Sequence, residues 1–320
     1  MSGVLWAAVA GVGFGLFQTV NRAALRDLDV YQSTFIQLSV SACILVVASL
    51  ATADLSQLRQ APPAALGEFA VAGLVHFFLG WTLLNASQKR IGATRTSPLL
   101  SAAPLFGAVI AALTIKEVPG VISLLGVALI MVGVYVVTLD RAPAQALATA
   151  RGARTGGLVD KADGVSRDAL AVPQARSWNA YLFGLGTALC WAISPIFIRR
   201  GLDGLPSPLL GVTVGLLVAV AAYAVALPFL RRPTAAPRSG QALAWKAVAG
   251  VLVGLSTWTR WYALSLEPVV VVLGLGLLSV PTVILLAPLL LGQHLERVTR
   301  RVLFGSGLIL AGALVLIVRT

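Results

Sequence analysis

Apolar stretches about as long as a bilayer is thick recur along this chain, with short charged connectors between them. A helix rises about 1.5 Å per residue, so a hydrocarbon layer of about 30 Å takes roughly 20 residues. By that ruler the chain divides into ten spans: 3–21, 31–52, 66–87, 94–115, 118–138, 178–198, 206–229, 243–264, 268–291 and 301–318. Inside lipid every backbone polar group needs a protein partner, which leaves only helices or closed barrels. Membrane strands are about half this length and alternate in polarity, and these blocks do neither. The pattern therefore predicts an all-α membrane protein with ten transmembrane helices.

Composition excludes the soluble alternative. Charged residues make up 11% of the 320, and apolar residues 58%, with a mean hydropathy of +0.90. A soluble domain carries nearer one quarter charged residues on its surface. The net charge of +12 raises the question of nucleic acid, but the Lys and Arg residues gather in connectors and form no basic stripe. They read as anchors near anionic headgroups. Cys43 and Cys190 fall inside apolar spans and read as small fillers, and no CxxC occurs. The opening "MSGVLWAAVAGVGFGLF" lacks a basic leader and reads as a retained first helix.

Residues 140–177 differ, being rich in Ala, Gly, Arg and Asp without an aromatic side chain. They read as a flexible extramembrane linker between a first five-helix repeat, 1–139, and a second, 178–320. A shift of 179 residues lays Glu296 on Glu117, Gly305 on Gly126 and Gly312 on Gly133. A shift of 177 lays "WTRWYA" (258–263) on "WTLLNA" (81–86), Trp191 on Phe14 and Arg199 on Arg22. With an odd number of spans per repeat, the second copy must insert inverted relative to the first. Many secondary transporters are built so, with the substrate between the repeats near the midplane.

These motifs carry a resemblance to the drug/metabolite transporter (DMT) superfamily, in particular its ten-helix EamA-type members. The matching runs are "GFGLFQTVNRAAL" (13–25) with "CWAISPIFIRR" (190–200), and "NASQKRIGATRTSPLLSAAPLFGAVIAALTIKE" (85–117) with "YALSLEPVVVVLGLGLLSVPTVILLAPLLLGQHLE" (262–296). In each, a proline-containing fourth helix ends on an acidic residue and is followed by a glycine-bearing fifth. The family pattern usually places Gly before that glutamate, whereas here Lys116 precedes Glu117 and "QHL" precedes Glu296. The resemblance implies two inverted five-helix repeats around a central cavity. It also implies a secondary transporter, often an exporter, of small metabolites such as amino acids across the cytoplasmic (plasma) membrane.

The spans 94–115 and 268–291 contain Pro98, Pro104, Pro281 and Pro288. A proline frees a carbonyl and bends a helix, so Pro104 and Pro281 are candidate kinks, either lining a cavity or simply fitting the bundle. Glu117 and Glu296, at span ends, read as helix caps and loop anchors. Polar groups deeper in lipid are the candidates for a substrate cavity, since unpartnered ones there are costly. They are Gln18, Asn21, Gln37, His76, Trp81, Asn85, Trp191, Ser194, Trp258, Arg260 and Tyr262. Trp258 and Tyr262 share a helix face, as do Trp81 and Asn85. Arg260 has two readings, a snorkelling anchor or a fork for a carboxylate or phosphate. His76 has two as well, a proton carrier or a neutral hydrogen-bonded ring.

The function expected is alternating-access transport. A non-transporting scaffold or receptor is the alternative, and a membrane-embedded enzyme a weaker one. No nucleotide-binding motif is present, "GVGFG" lies inside a span with no preceding strand, and no cofactor or metal is expected. The expected partners are a small-molecule substrate and the lipid bilayer, with a homodimer left open and nucleic acid excluded. Of the 24 Lys and Arg residues, 18 lie in or beside odd-numbered connectors, which puts both termini outside by the positive-inside rule. The family resemblance implies the opposite orientation.

Overall fold

In a computed structural model, residues 2–24, 29–91, 96, 99–137, 178–230, 240–291 and 300–318 are described. Pro98, Glu296 and the predicted linker 140–177 lie outside them. The described chain is all helical. Seven helices are long and apolar enough to cross a membrane, and three further apolar helices are shorter.

The first half opens with α1 (Gly3–Ala24) and α2 (Val30–Thr52). Asp29 starts α2 by accepting the Tyr31 N–H at 2.9 Å, satisfying one of the backbone donors a helix start leaves free. A short turn α3 (Ser56–Gln60) leads into α4 (Pro63–Gly73), which continues without interruption through a π-helical stretch, Leu74–Gly80, into α5 (Trp81–Ile91). α6 (Ala103–Thr114) and α7 (Val121–Val137) are two of the shorter helices. The second half comprises α8 (Trp178–Gly204), α9 (Pro208–Leu230), α10 (Gly240–Leu266), α11 (Val269–Gly276), α12 (Ser279–Leu291) and α13 (Arg300–Val318).

The predicted fourth and ninth spans are each interrupted. Residues 101–102 form a turn before α6, and 277–278 form one between α11 and α12. At the second break the Leu277 and Leu278 N–H groups reach back only three residues, to Gly274 and Leu275, at 3.0 Å each. Pro104 is the second residue of α6 and Pro281 the third of α12. A first-turn residue has no use for its N–H within the helix, so a proline there starts a new helix without bending an existing one. The kinks expected at these prolines are therefore chain breaks, each shortly ahead of its proline.

The two halves interlock. α1 packs most extensively along α10 and then along α11 and α12, while α8 packs along α4, the π-helical stretch, α5 and α6. α2 and α9 lie against each other. Glycines set the closest approaches. A Cβ at Gly73 would fall 2.1 Å from the Gly215 carbonyl oxygen, and one at Gly133 would fall 2.6 Å from that of Gly305. Such small-residue contacts let apolar helices touch backbone to backbone in lipid. The core runs through Phe17, Phe69, Phe77, Trp81, Tyr223 and Trp261, drawn from both halves.

Candidate functional site

Both helix breaks face one cavity of about 50 Å³, room for a few water molecules at about 10–15 Å³ apiece. Leu100 and Ala103 line it at the first break, Gly276, Leu277 and Ser279 at the second. Irregular backbone at membrane depth is tolerated where it lines such a space. α1 adds Phe14 and Gln18, α5 adds Trp81 and Leu84, and α8 and α10 add Trp191 and Arg260.

The aromatic wall is built by edge and face contacts. Trp81 lies edge-on to Phe17 with centroids 5.0 Å apart, and to Trp191 at 5.2 Å. Trp191 sits over residue 80, where a Cβ would come within 2.8 Å of its indole nitrogen, so glycine there makes the room. His76 stacks on Trp191 at 5.8 Å, and its Nδ1 is 2.8 Å from Ser194 Oγ. His76 lies in the π-helical stretch, an irregularity often found at functional positions.

Arg260 is 7% exposed. Its guanidinium carbon lies 5.9 Å from the Phe14 ring and 6.0 Å from that of Trp191, near the outer limit of a cation–π contact. It makes no hydrogen bond or ion pair among the described residues, and its Nη2 is buried without an acceptor. The headgroup-anchor reading of Arg260 does not describe this placement, because the side chain turns into the bundle.

A second polar cluster lies where α1, α2, α5 and α10 meet. Lys246, fully buried, donates from Nζ to Asn21 Oδ1 and, at 2.8 Å, to Gln37 Oε1. Asn21 donates to Asn85 Oδ1 at 3.4 Å, and Asn85 Nδ2 donates to Thr34 Oγ1 at 2.7 Å. Sequence reasoning missed Lys246, counting it among the connector charges. The signal was its helical spacing from Ala242, Ala249, Gly250 and Val253, small residues on one buried face.

The structure thus brings Gln18, Trp81, Trp191 and Arg260 to the cavity, His76 and Ser194 beside it, and Asn21, Gln37 and Asn85 to the Lys246 cluster. Trp258 and Tyr262 do not line the cavity. Tyr262 is 38% exposed and lies edge-on to Trp6 at 5.1 Å, and the fully buried tryptophan of that run is Trp261, stacked on Phe77 at 6.1 Å.

Glu117 ties distant segments together. One carboxylate oxygen accepts from Arg199 Nη2 at 2.9 Å, and the other accepts the Val269 N–H at 2.5 Å, at the start of α11. Arg199 Nη2 also donates to the Glu267 carbonyl at 2.6 Å. The helix Glu117 caps is α11 and not the next one in sequence, α7. Lys116, in the position where the resembling family has Gly, has a φ of 55°, the left-handed region where glycine is least strained.

Residues 1–139 match the model of the EamA-like transporter family. A solved structure described only as "Crystal structure of protein" superposes with a TM-score of 0.71 at 18% sequence identity, over 98% of this chain and 95% of its own. No curated protein matches the chain. The chain is a multi-pass, all-α membrane protein whose residues 1–139 are similar to the EamA-like transporter family. The superposition shows a shared fold over nearly the whole chain, and the similarity to a transporter family lies in its first half. Among the described residues no group of three His, Cys, Asp or Glu side chains could hold a metal ion.

Proposed function

We propose that this protein is a secondary transporter that moves a small solute, outward in the cell, by alternating access of two inverted five-helix repeats, 1–139 and 178–320. The observation that carries this reading is the cavity between the two helix breaks, to which each half contributes. The exchange of contacts supports it too: α1 lies on the third and fourth helical segments of the other half, and α8 does the same in return. Gly126 approaches Gly312, and Gly133 approaches Gly305. The repeat alignment pairs Gly126 with Gly305 and Gly133 with Gly312, so equivalent residues meet with partners exchanged, as a two-fold axis requires.

A cavity with room for only a few waters suits a state closed around its centre, which must widen to admit a solute. The breaks at 101–102 and 277–278 are where the chain can hinge, because no continuous helix has to bend. Asn21, Gln37 and Asn85 hold the first half to Lys246 at one side of the bundle, while Glu117 and Arg199 clasp the halves at another. Opening on either side would loosen one set of contacts and keep the other.

The test is solute flux in proteoliposomes containing the purified chain, over a broad panel of metabolites. Substrate-dependent flux that falls at least tenfold in Trp191→Ala, at equal protein incorporation, is the expected outcome. Natively folded protein that moves nothing in the panel would instead favour a scaffold or receptor.

A further inference from the structure

We infer that the cavity recognises a monoanionic solute, a small carboxylate with an apolar tail, whose carboxylate lies against Arg260. This deepens the transporter reading and rests on it only for the word solute. Among the described residues Arg260 is the sole formal charge on the cavity wall, and no carboxylate among them pairs with it. A buried cation without a counter-charge is costly, so the site is completed by an anion from outside the chain.

The other cavity groups that are buried without a partner point the same way. Besides Arg260 Nη2, the indole N–H groups of Trp81 and Trp191, two further cavity residues, are buried with no acceptor. All three unsatisfied groups are donors, and none is an acceptor. A ligand rich in acceptors fits that imbalance, whereas an amine would bring more donors and a second positive charge.

One guanidinium neutralises one charge, which favours a carboxylate over a phosphate dianion. The planar fork accepts a carboxylate side by side, a geometry an ammonium cannot offer. Apart from Gln18 and Ser279, the remaining side chains of the wall, among them Phe14, Leu84, Leu100, Leu273 and Leu277, are apolar and take the tail. Under the repeat alignment, position 260 corresponds to Leu83. The charge therefore belongs to one half only, and the solute lies in a single polarity across the pseudo-two-fold.

The test measures binding to the full-length protein in nanodiscs of phosphatidylcholine, by calorimetry and intrinsic tryptophan fluorescence. The probes are 4-methylpentanoate, 4-methylpentanamide, 4-methylpentylamine and leucine. The carboxylate is expected to bind at least tenfold more tightly than the amide, the amine or the zwitterionic amino acid. Arg260→Gln should remove that preference, and Arg260→Lys should keep its sign while weakening binding several-fold.

Equal binding of carboxylate and amide by the unaltered protein overturns the inference, whatever the variants do. So does a preference that survives Arg260→Gln. A headgroup phosphate is the other source of the same chemistry. If discs with phosphatidylglycerol shift the fluorescence through Arg260 while the free carboxylate has no effect, the site takes lipid and the inference fails. Carboxylate binding without flux in proteoliposomes would sink the transporter reading and leave this one standing, and flux of amines alone would do the reverse.

Discussion

Lys246 is held by two amide oxygens and, among the described residues, by no acid, in the early turns of a helix long and apolar enough to cross a membrane. A hydrogen bond to a charged group contributes more than a neutral one, about 1.5–3 kcal/mol. Each amide therefore matters to a cation that has few alternatives. Gln37→Leu is expected to destabilise the protein by about 1–3 kcal/mol, read as a lowered midpoint of thermal unfolding in detergent. An unchanged midpoint would mean that Lys246 finds another acceptor. The position corresponding to Lys246 at a shift of 177 is Phe69, also fully buried. The same place in the two halves thus holds a polar cluster in one and an aromatic side chain in the other, so the halves are chemically unequal there even if their backbones match.

At the scale of elements, packing depends on where glycine permits contact. Gly67 and Gly73 both lie in α4, six residues apart in sequence, and their surroundings are opposite. Nothing lies within 4 Å of a Cβ at Gly67, whereas one at Gly73 meets the Gly215 backbone at 2.1 Å. Gly67→Ala should raise stability by up to about 1 kcal/mol through helix propensity. Gly73→Ala should lower it by about 1–3 kcal/mol, because α4 and α9 must separate. Reversible unfolding of the two variants side by side checks both signs, and a stabilising Gly73→Ala would mean that the helices sit farther apart than described. The breaks before α6 and α12 follow a similar local rule. A proline in a first turn costs little, so each helix restarts where its proline is best tolerated.

Across the whole molecule, the Glu117–Arg199 pair joins the end of α6 to α8 and to the start of α11. The side chains are 18% and 29% exposed, so solvent weakens the attraction. The carboxylate also caps α11, which an exposed ion pair would not do. A double-mutant cycle with Glu117→Gln and Arg199→Gln should give a coupling of about 0.5–1 kcal/mol. The Glu117 single variant should cost more than the Arg199 one, since it also removes the charge at the Val269 N–H. Strict additivity would mean that the two side chains act separately and that the clasp between the halves lies elsewhere.

The sequence alone determined that this chain is a multi-helix membrane protein, because lipid admits no unsatisfied backbone and long apolar blocks can answer only with helices. It also marked Trp81, Trp191, Arg260, Asn21 and Asn85, since polar and aromatic groups at membrane depth are costly against lipid and turn into the bundle. Only the tertiary structure decided which of them find partners there: Asn21 and Asn85 do, whereas Arg260 Nη2 and the two indole N–H groups have none among the described residues. Trp261 went inward and Tyr262 outward, although they are neighbours, because the rotation of α10 is set by α1 and α2 and not by its own composition. Lys246 was hidden for the same reason: a lysine near a span end has the same sequence signature whether it reaches for headgroups or turns inward. The proline breaks, too, were legible as irregularities but not as the ends of helices, because which turn a proline occupies depends on where the preceding helix stops.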